Sequence, residues 1–345
     1  MTQTVPPGRL RVWTMEMRLP FLTASILPVV VGTSLAWAVS GQFAPDLFLL
    51  TLVAGALLHL GANVSNDYFD HVSGADDINV DYVRPFSGGS RMIQAGLLSP
   101  RQVLLGSFVL FGVAGLIGLY LFLVRGVVIL VLGGIGVASG FFYTAPPFRL
   151  VSRGVGEIFI GLNFGILMTL GSFYVQHPYL LIEPIIVSLP VAILITSVLY
   201  INEFPDVRAD EAAGKRTLVV RLGVRGASRG YVILMLATYA MVVVPYLLGF
   251  VPYPILLGLA SVPLAVVGSR TVLVHYDSPL GLMPAYPATI LNHLLTGSGI
   301  SLGYLLQGLM APLSTVAVSA SALFLLSVLL ARRLTRPPRG VRVDQ

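Results

Sequence analysis

The chain has 345 residues, 56 % of them hydrophobic and only 10 % charged, with a formal net charge of +6 and no cysteine. A soluble domain carries about a quarter charged residues, so this composition excludes an ordinary water-exposed surface. The missing cysteine excludes disulfides, thiolate metal sites and cysteine nucleophiles, and leaves the redox compartment open.

The first twenty residues, MTQTVPPGRLRVWTMEMRLP, hold arginines but no short apolar core ending in a small-residue cleavage site, so they do not read as a cleaved signal peptide. A helix needs about 20 apolar residues to cross the hydrocarbon core. Ten stretches qualify: residues 20–41, 46–64, 102–123, 126–143, 155–176, 181–202, 231–250, 253–274, 286–307 and 310–331. The expected fold is all-α, a polytopic membrane protein with a single domain over residues 1–345. With the N-terminus in the cytoplasm, twenty of the twenty-one basic residues fall on that side and only Arg125 falls outside. The twenty include Arg9, Arg11 and Arg18 at the start and Arg332, Arg333, Arg336, Arg339 and Arg342 at the end. Nine spans would send the terminal arginines outside, so ten fit better, with both termini cytoplasmic and the cell membrane as the location. Scattered over short connections, these arginines do not form the patch that nucleic acid requires.

Small residues recur within the spans, as in GVAGLIG (112–118), GGIGVASG (133–140) and GLNFG (161–165). Such runs ordinarily let helices approach closely in lipid; the other reading is room for a ligand tail. The five histidines never pair at ligand spacing, which argues against a histidine metal site. Two connections, about 65–101 and 203–230, are long, and both fall on the cytoplasmic side.

Nine of the fifteen acidic residues sit in those two connections: Asp67, Asp70, Asp76, Asp77 and Asp81 in the first, Glu203, Asp206, Asp210 and Glu211 in the second. The first contains Asn63-x3-Asp67-x2-Asp70 and the second Asn202-x3-Asp206-x3-Asp210. Residues three or four apart share a helix face, so each stretch is expected to project an amide and two carboxylates from the cytoplasmic end of a span. Carboxylates packed without a cation repel, and hard oxygen ligands of this kind suit Mg²⁺ with substrate phosphates. Cationic side chains follow each cluster: Arg84 and Arg91 in RPFSGGSR, Lys215 and Arg216 in GKRTLVVR, with Arg149 and Arg153 as a third group. They are the expected partners of phosphate oxygens, and the glycines of SGG (87–89) would let backbone N–H groups approach an anion. A diphosphate site opening into apolar helices points to a prenyl diphosphate, with metal and cations stabilising the departing diphosphate.

NVSNDYFD followed by RPFSGGSRMIQAGLLS, and NEFPDVRADEAAGKRTLVVRLG, resemble the two signature regions of the UbiA superfamily of intramembrane aromatic prenyltransferases. YTAPPFRLVSRGVGEIFIGLNFG resembles the stretch between them, and the similarity covers roughly residues 15–308. The asparagine before D-x3-D and the GK-x-TL-x-VRLG run are most similar to the 1,4-dihydroxy-2-naphthoate prenyltransferases of the menaquinone branch. The resemblance implies nine core helices around a central cavity, Mg²⁺ held by Asp67, Asp70, Asp206 and Asp210, and prenyl transfer from a polyprenyl diphosphate to a naphthoate ring with loss of its carboxylate. The stretch at 310–331 is then an extra, peripheral tenth helix.

On this reading Asn63 and Asn202 help to position two Mg²⁺, and Arg84, Arg91, Lys215 and Arg216 neutralise the remaining charge. Tyr143, Asn163 and Arg153 are further candidate substrate contacts, although a packed tyrosine and a helix-bonded asparagine are equally good readings. Glu157, close to Arg153 in sequence, reads as half of a structural ion pair. Asp76, Asp77 and Asp81 stay open between metal ligands and loop acids. The alternatives are another acceptor (4-hydroxybenzoate, homogentisate, a glycerol phosphate ether or a porphyrin), a cation-coupled transporter, or a silent scaffold.

Overall fold

Apolar segments with no water to bond their backbone must close their hydrogen bonds internally, and in lipid helices do so. The computed structural model describes residues 8–79 and 82–336, so Asp81, Arg339 and Arg342 lie outside the described residues. Among the described residues there is helix and no strand. A short helix α1 (Arg9–Glu16) and a 3₁₀ turn (Leu19–Leu22) lead into α2 (Thr23–Ser40), followed by α3 (Pro45–Ser73), the one-turn α4 (Ala75–Ile78), α5 (Pro100–Arg125) and α6 (Val127–Phe141). Next, α7 (Gly156–Ile160), a π-helical stretch (Gly161–Leu167) and α8 (Met168–Gln176) run on without a break. The chain continues with α9 (Glu183–Asn202), α10 (Val207–Ala212) and α11 (Leu218–Leu247). A 3₁₀ segment (Tyr253–Ser261) then precedes α12 (Val262–His275), α13 (Ala285–Gly308) and α14 (Leu313–Leu334).

Each of the ten stretches expected to span is helical among the described residues, but helicity alone does not fix the number that cross a membrane. Eight are long and apolar enough to cross a membrane, from Leu19–Ser40 to Leu313–Leu334. The other two are α6, which is shorter, and α13, which is laced with Asn292, His293, Ser and Thr. Two helices outrun their apolar stretches. α3 continues to Ser73, and α11 starts at Leu218, capped by the Thr217 hydroxyl accepting from Val220 N–H at 3.3 Å and broken at Gly223 (φ 65°, ψ 154°). Hydropathy marks where a helix leaves hydrocarbon, not where its hydrogen bonding ends.

The bundle packs α2 against α8 and α13, α3 against α5, α9 against α11, and α13 against the 3₁₀ segment. Buried side-chain hydrogen bonds tie α11 to α13: Tyr231 Oη to Thr289 Oγ1 at 2.6 Å, and Tyr239 Oη to Asn292 Oδ1 at 2.7 Å. Such bonds are worth roughly 0.6 kcal/mol each in membrane bundles, so close packing has to carry most of the association. It does so at Gly165, where a Cβ would lie 2.3 Å from Ala192 Cβ, and at Gly303, where one would lie 2.4 Å from the Pro254 carbonyl oxygen. The runs at 112–118 and 133–140 behave differently. A Cβ on Gly112, Gly115, Gly118, Gly133, Gly134 or Gly136 would meet nothing within 4 Å. Close packing is the wrong reading for these six glycines, which leave open space; Gly140, at the end of the second run, would meet Ala62. The last helix, α14, is peripheral, touching the 3₁₀ segment, α12 and α13 through Val316, Ser327 and Ala331.

Gly165→Leu should drive a side chain into α9, an overpacking cost of about 1–3 kcal/mol. The thermal midpoint of the solubilised protein should fall by several degrees, whereas Gly134→Ala, in open space, should leave it unchanged or slightly raised.

Candidate active site

A cavity of about 1030 Å³ runs between α2, α3, α5, α6, the α7–α8 rod and α9. Its long wall is apolar and glycine-lined, with Gly115, Gly118, Gly133, Gly134 and Gly136 on it. One end is acidic, lined by Asp70, Asp76, Asp206 and Asp210 with Asn63, Asn202 and Lys215. Four elements deliver these groups. α3 carries Asn63, Asp67 and Asp70 on one continuous helix, as the spacing requires. The second cluster is not one helix: α9 ends at Asn202, a turn follows, Asp206 is the N-cap of α10, and Asp210 lies in its first turn. Asp76 comes from α4.

The carboxylates have different partners. Asp67 is buried outside the cavity wall, paired with Arg18 Nη2 at 2.5 Å and accepting from Ser90 N–H at 3.1 Å. Asp70 holds Lys215 Nζ at 2.7 Å and accepts from Asn66 Nδ2 at 3.1 Å, while Asp210 stands 3.9 Å from the same ammonium. Asp206 accepts from Asn79 Nδ2 at 2.9 Å and lies within hydrogen-bonding reach of the Ser87 hydroxyl and the Gly88 backbone. Asp76 accepts from Gln94 Nε2 at 3.0 Å. Gly88 and Gly89 have φ of 80° and 72°, a backbone that a side chain strains. A Cβ on Gly89 would sit 3.2 Å from Asp67 Oδ1 and 3.4 Å from Asp76 Oδ1. The SGG run therefore cradles carboxylates here.

Burial first, then neighbouring carboxylates, push Asp76 and Asp210 up to about 7. Burial also raises Asp206, against the hydrogen bonds it accepts. Burial would lower Lys215, but Asp70 and Asp210 outweigh it and hold the ammonium well above its ordinary value. Glu203 is likewise raised well above the carboxylate range, by burial and then by Glu157.

Several expected residues stand elsewhere. Arg84 is exposed beside Tyr82. Arg91 braces the loop by donating to the carbonyls of Gly88 (2.9 Å) and Asn79 (2.5 Å), over the Tyr82 ring. Arg153 donates to the carbonyls of Phe148 and Pro147, and Arg216 is exposed. None of the four lines the cavity; Tyr143, Asn163 and Lys215 do. Asn163 Oδ1 accepts from the Ser139 hydroxyl at 2.7 Å within the π-helical stretch, a distortion that recurs at functional sites. The ion pair between Glu157 and Arg153 does not form: Glu157 Oε1 accepts from Leu218 N–H at 2.5 Å instead. Arg18, read from sequence only as an orientation charge, lines the cavity and holds Asp67. Its one local signal is its place directly before the first span.

The donor set fits a divalent cation. Asp70, Asp76, Asp206 and Asp210 offer hard oxygens to one space, and Asn202 Oδ1 on the same wall is buried without a hydrogen-bond partner. Among the described residues no three acidic or histidine side chains yet converge on one point. Like charges that repel, each held by its own partner, are expected to stand apart.

The sequence matches the UbiA prenyltransferase family over residues 25–281. It is 31 % identical over 306 residues to the 1,4-dihydroxy-2-naphthoate octaprenyltransferase of Escherichia coli, covering 87 % of this chain and 97 % of that one. It is 27 % identical to the 2-carboxy-1,4-naphthoquinone phytyltransferase of Synechocystis, covering 88 % and 96 %. Among solved structures, a UbiA homologue from Archaeoglobus fulgidus bound to DMAPP and Mg²⁺ superposes with a TM-score of 0.54 at 14 % identity, covering 84 % and 99 %. That likeness is one of fold.

Between the ordinary carboxyl value of 3.8 and about 7, folded Asp76 and Asp210 keep protons that the unfolded chain has lost. Stability of the metal-free protein should therefore fall as pH rises through that window. Added Mg²⁺ should restore it, increasingly so towards the alkaline end, because the cation competes with those protons. Thermal midpoints measured across pH with and without Mg²⁺ check this; a metal-free protein that gains stability as pH rises through the window contradicts it.

Proposed function

The chain belongs to the UbiA prenyltransferase family, and on that footing we propose that it joins a polyprenyl chain to 1,4-dihydroxy-2-naphthoate. The observation that carries this reading is the cavity itself, acidic at one end and apolar along its length. The relatives' names support the choice of acceptor. Other acceptors of the superfamily are the competing outcome.

Asp67, Asp70, Asp206 and Asp210, with Asn63 and Asn202, are the groups proposed to hold Mg²⁺, and Asp76 stands beside them on the cavity wall. Bound there, the metal would supply electrostatic stabilisation to the departing diphosphate. Lys215 adds a buried ammonium at the same end. Arg84, Arg91, Arg153 and Arg216 remain outer candidates that would have to turn inward from the positions described above. The apolar wall excludes water, which would otherwise trap the allylic cation. The prenyl C1–O bond breaks with its electron pair going to diphosphate, a ring carbon supplies the pair for the new C–C bond, and the ring carboxylate leaves as carbon dioxide. The immediate product is the hydroquinone form of a demethylmenaquinone. The acidic end is assigned to the cytoplasmic face of the cell membrane, supported by the distribution of arginine. The ten helices are read as one domain.

Purified protein given geranylgeranyl diphosphate, Mg²⁺ and a panel of aromatic acceptors should yield a decarboxylated, prenylated naphthoquinol by mass spectrometry, and EDTA should stop the reaction. Asp206→Asn should cut turnover on the order of 10²–10³-fold in a protein that still folds; unchanged turnover would sink the metal assignment. Gly134→Phe should slow transfer from long donors far more than from a five-carbon donor, measured as the ratio of kcat/KM values.

A further inference from the structure

Glu203 follows Asn202 directly and precedes Asp206, and its carboxyl has a partner of its own. It reaches the carboxyl of Glu157, at hydrogen-bonding distance, and also feels the charges of Asp210 and Asp206. Among the described residues neither glutamate has a cationic partner. Glu157 is fixed: Oε1 accepts from Leu218 N–H, and its carbonyl accepts from the Thr196 hydroxyl at 3.0 Å. The Tyr143 ring rests on Gly156, next to Glu157, with its hydroxyl 3.3 Å from where a Gly156 Cβ would stand. Apart from the contact between the two carboxyls, three oxygens of this group, Glu203 Oε2, Glu157 Oε2 and Tyr143 Oη, are buried without a hydrogen-bond partner. Glu203 and Tyr143 line the cavity; Glu157 stands behind them.

Buried polar groups without partners are rare, and each calls for an explanation. Here two of them, Glu203 Oε2 and Tyr143 Oη, belong to residues that line the cavity. An anion would meet two carboxyl groups. A neutral hydroxyl fits: it can donate to Glu203 and accept from Tyr143. We propose that Glu203 and Tyr143 form the hydrogen-bonding notch for a ring hydroxyl of the aromatic acceptor, with Glu157 as the residue that positions Glu203. This rests on the functional reading above and names the part of the acceptor that the cavity recognises. Glu203 is thereby a specificity-determining residue.

The test uses the full chain in lipid nanodiscs with geranylgeranyl diphosphate and Mg²⁺. The acceptors are 1,4-dihydroxy-2-naphthoate and its two mono-methyl ethers, each lacking one hydroxyl proton. One ether should show a KM about tenfold or more above the parent compound, because a site built to bond a hydroxyl rejects an analogue without it. Glu203→Met removes the oxygens at similar volume, a change that buried charged or polar groups often tolerate. It should raise the KM of the parent to the level of that ether and erase the difference between them, with donor KM unchanged. Glu203→Gln, which keeps an accepting oxygen, should restore the discrimination. If both ethers match the parent in the wild-type protein, the inference fails without recourse to any variant. A Glu203→Met protein in which donor KM rises together with acceptor KM also overturns it. No transfer at all by the wild-type chain would overturn the functional reading, and this inference with it.

Discussion

Mutual repulsion among carboxylates is the constraint on which the rest of the site depends. Asp67, Asp70, Asp76, Asp206 and Asp210 crowd one end of an apolar bundle, buried or half-buried, where water screens them only weakly. Two cations answer directly, Arg18 to Asp67 and Lys215 to Asp70. The remaining groups lean on amides, on the Ser87 hydroxyl and on the Gly88 backbone, or are pushed towards their protonated form. An arrangement so short of positive charge has the chemistry to accept a cation. The left-handed glycines at 88 and 89 and the break between α9 and α10 are what allow four separate elements to reach that end.

The bundle behind the site solves the opposite problem. Helices must press together in lipid without sealing the interior. Glycine does both jobs in different places: Gly165 and Gly303 touch backbone or Cβ atoms of a neighbour, while Gly115, Gly118, Gly133, Gly134 and Gly136 on α5 and α6 face a void. The same residue type therefore builds contact on one face and a channel on another.

That distinction could not be seen in the sequence, because a run of small residues records only the absence of side chains. What fills the space is decided by helices distant in the chain. The positions of the helices were legible, since long apolar runs have few alternatives, and so were the two Asn/Asp clusters, whose members are close in sequence. Glu157 was misread for the converse reason: closeness to Arg153 in sequence suggested a pair, but the intervening turn sends Arg153 to the carbonyls of Phe148 and Pro147. The role of Arg18 is not legible locally because its partner is Asp67, a tertiary contact that no local spacing encodes. The arginines after the first cluster were recognised as important but not for what they do here, since Arg91 serves to hold its own loop.

The pairing of Lys215 with Asp70 bears on how the protein is made. Arg18 leaves the ribosome before Asp67 and is ready to meet it as soon as α3 forms. Asp70 has only the Asn66 amide of its own helix at that stage: its ammonium is synthesised after α9 and α10. During that interval its carboxylate has to stay at the wet edge of the bilayer. Lys215 then acts as a late clasp, drawing the end of α3 against the segment that follows α10 once both halves exist.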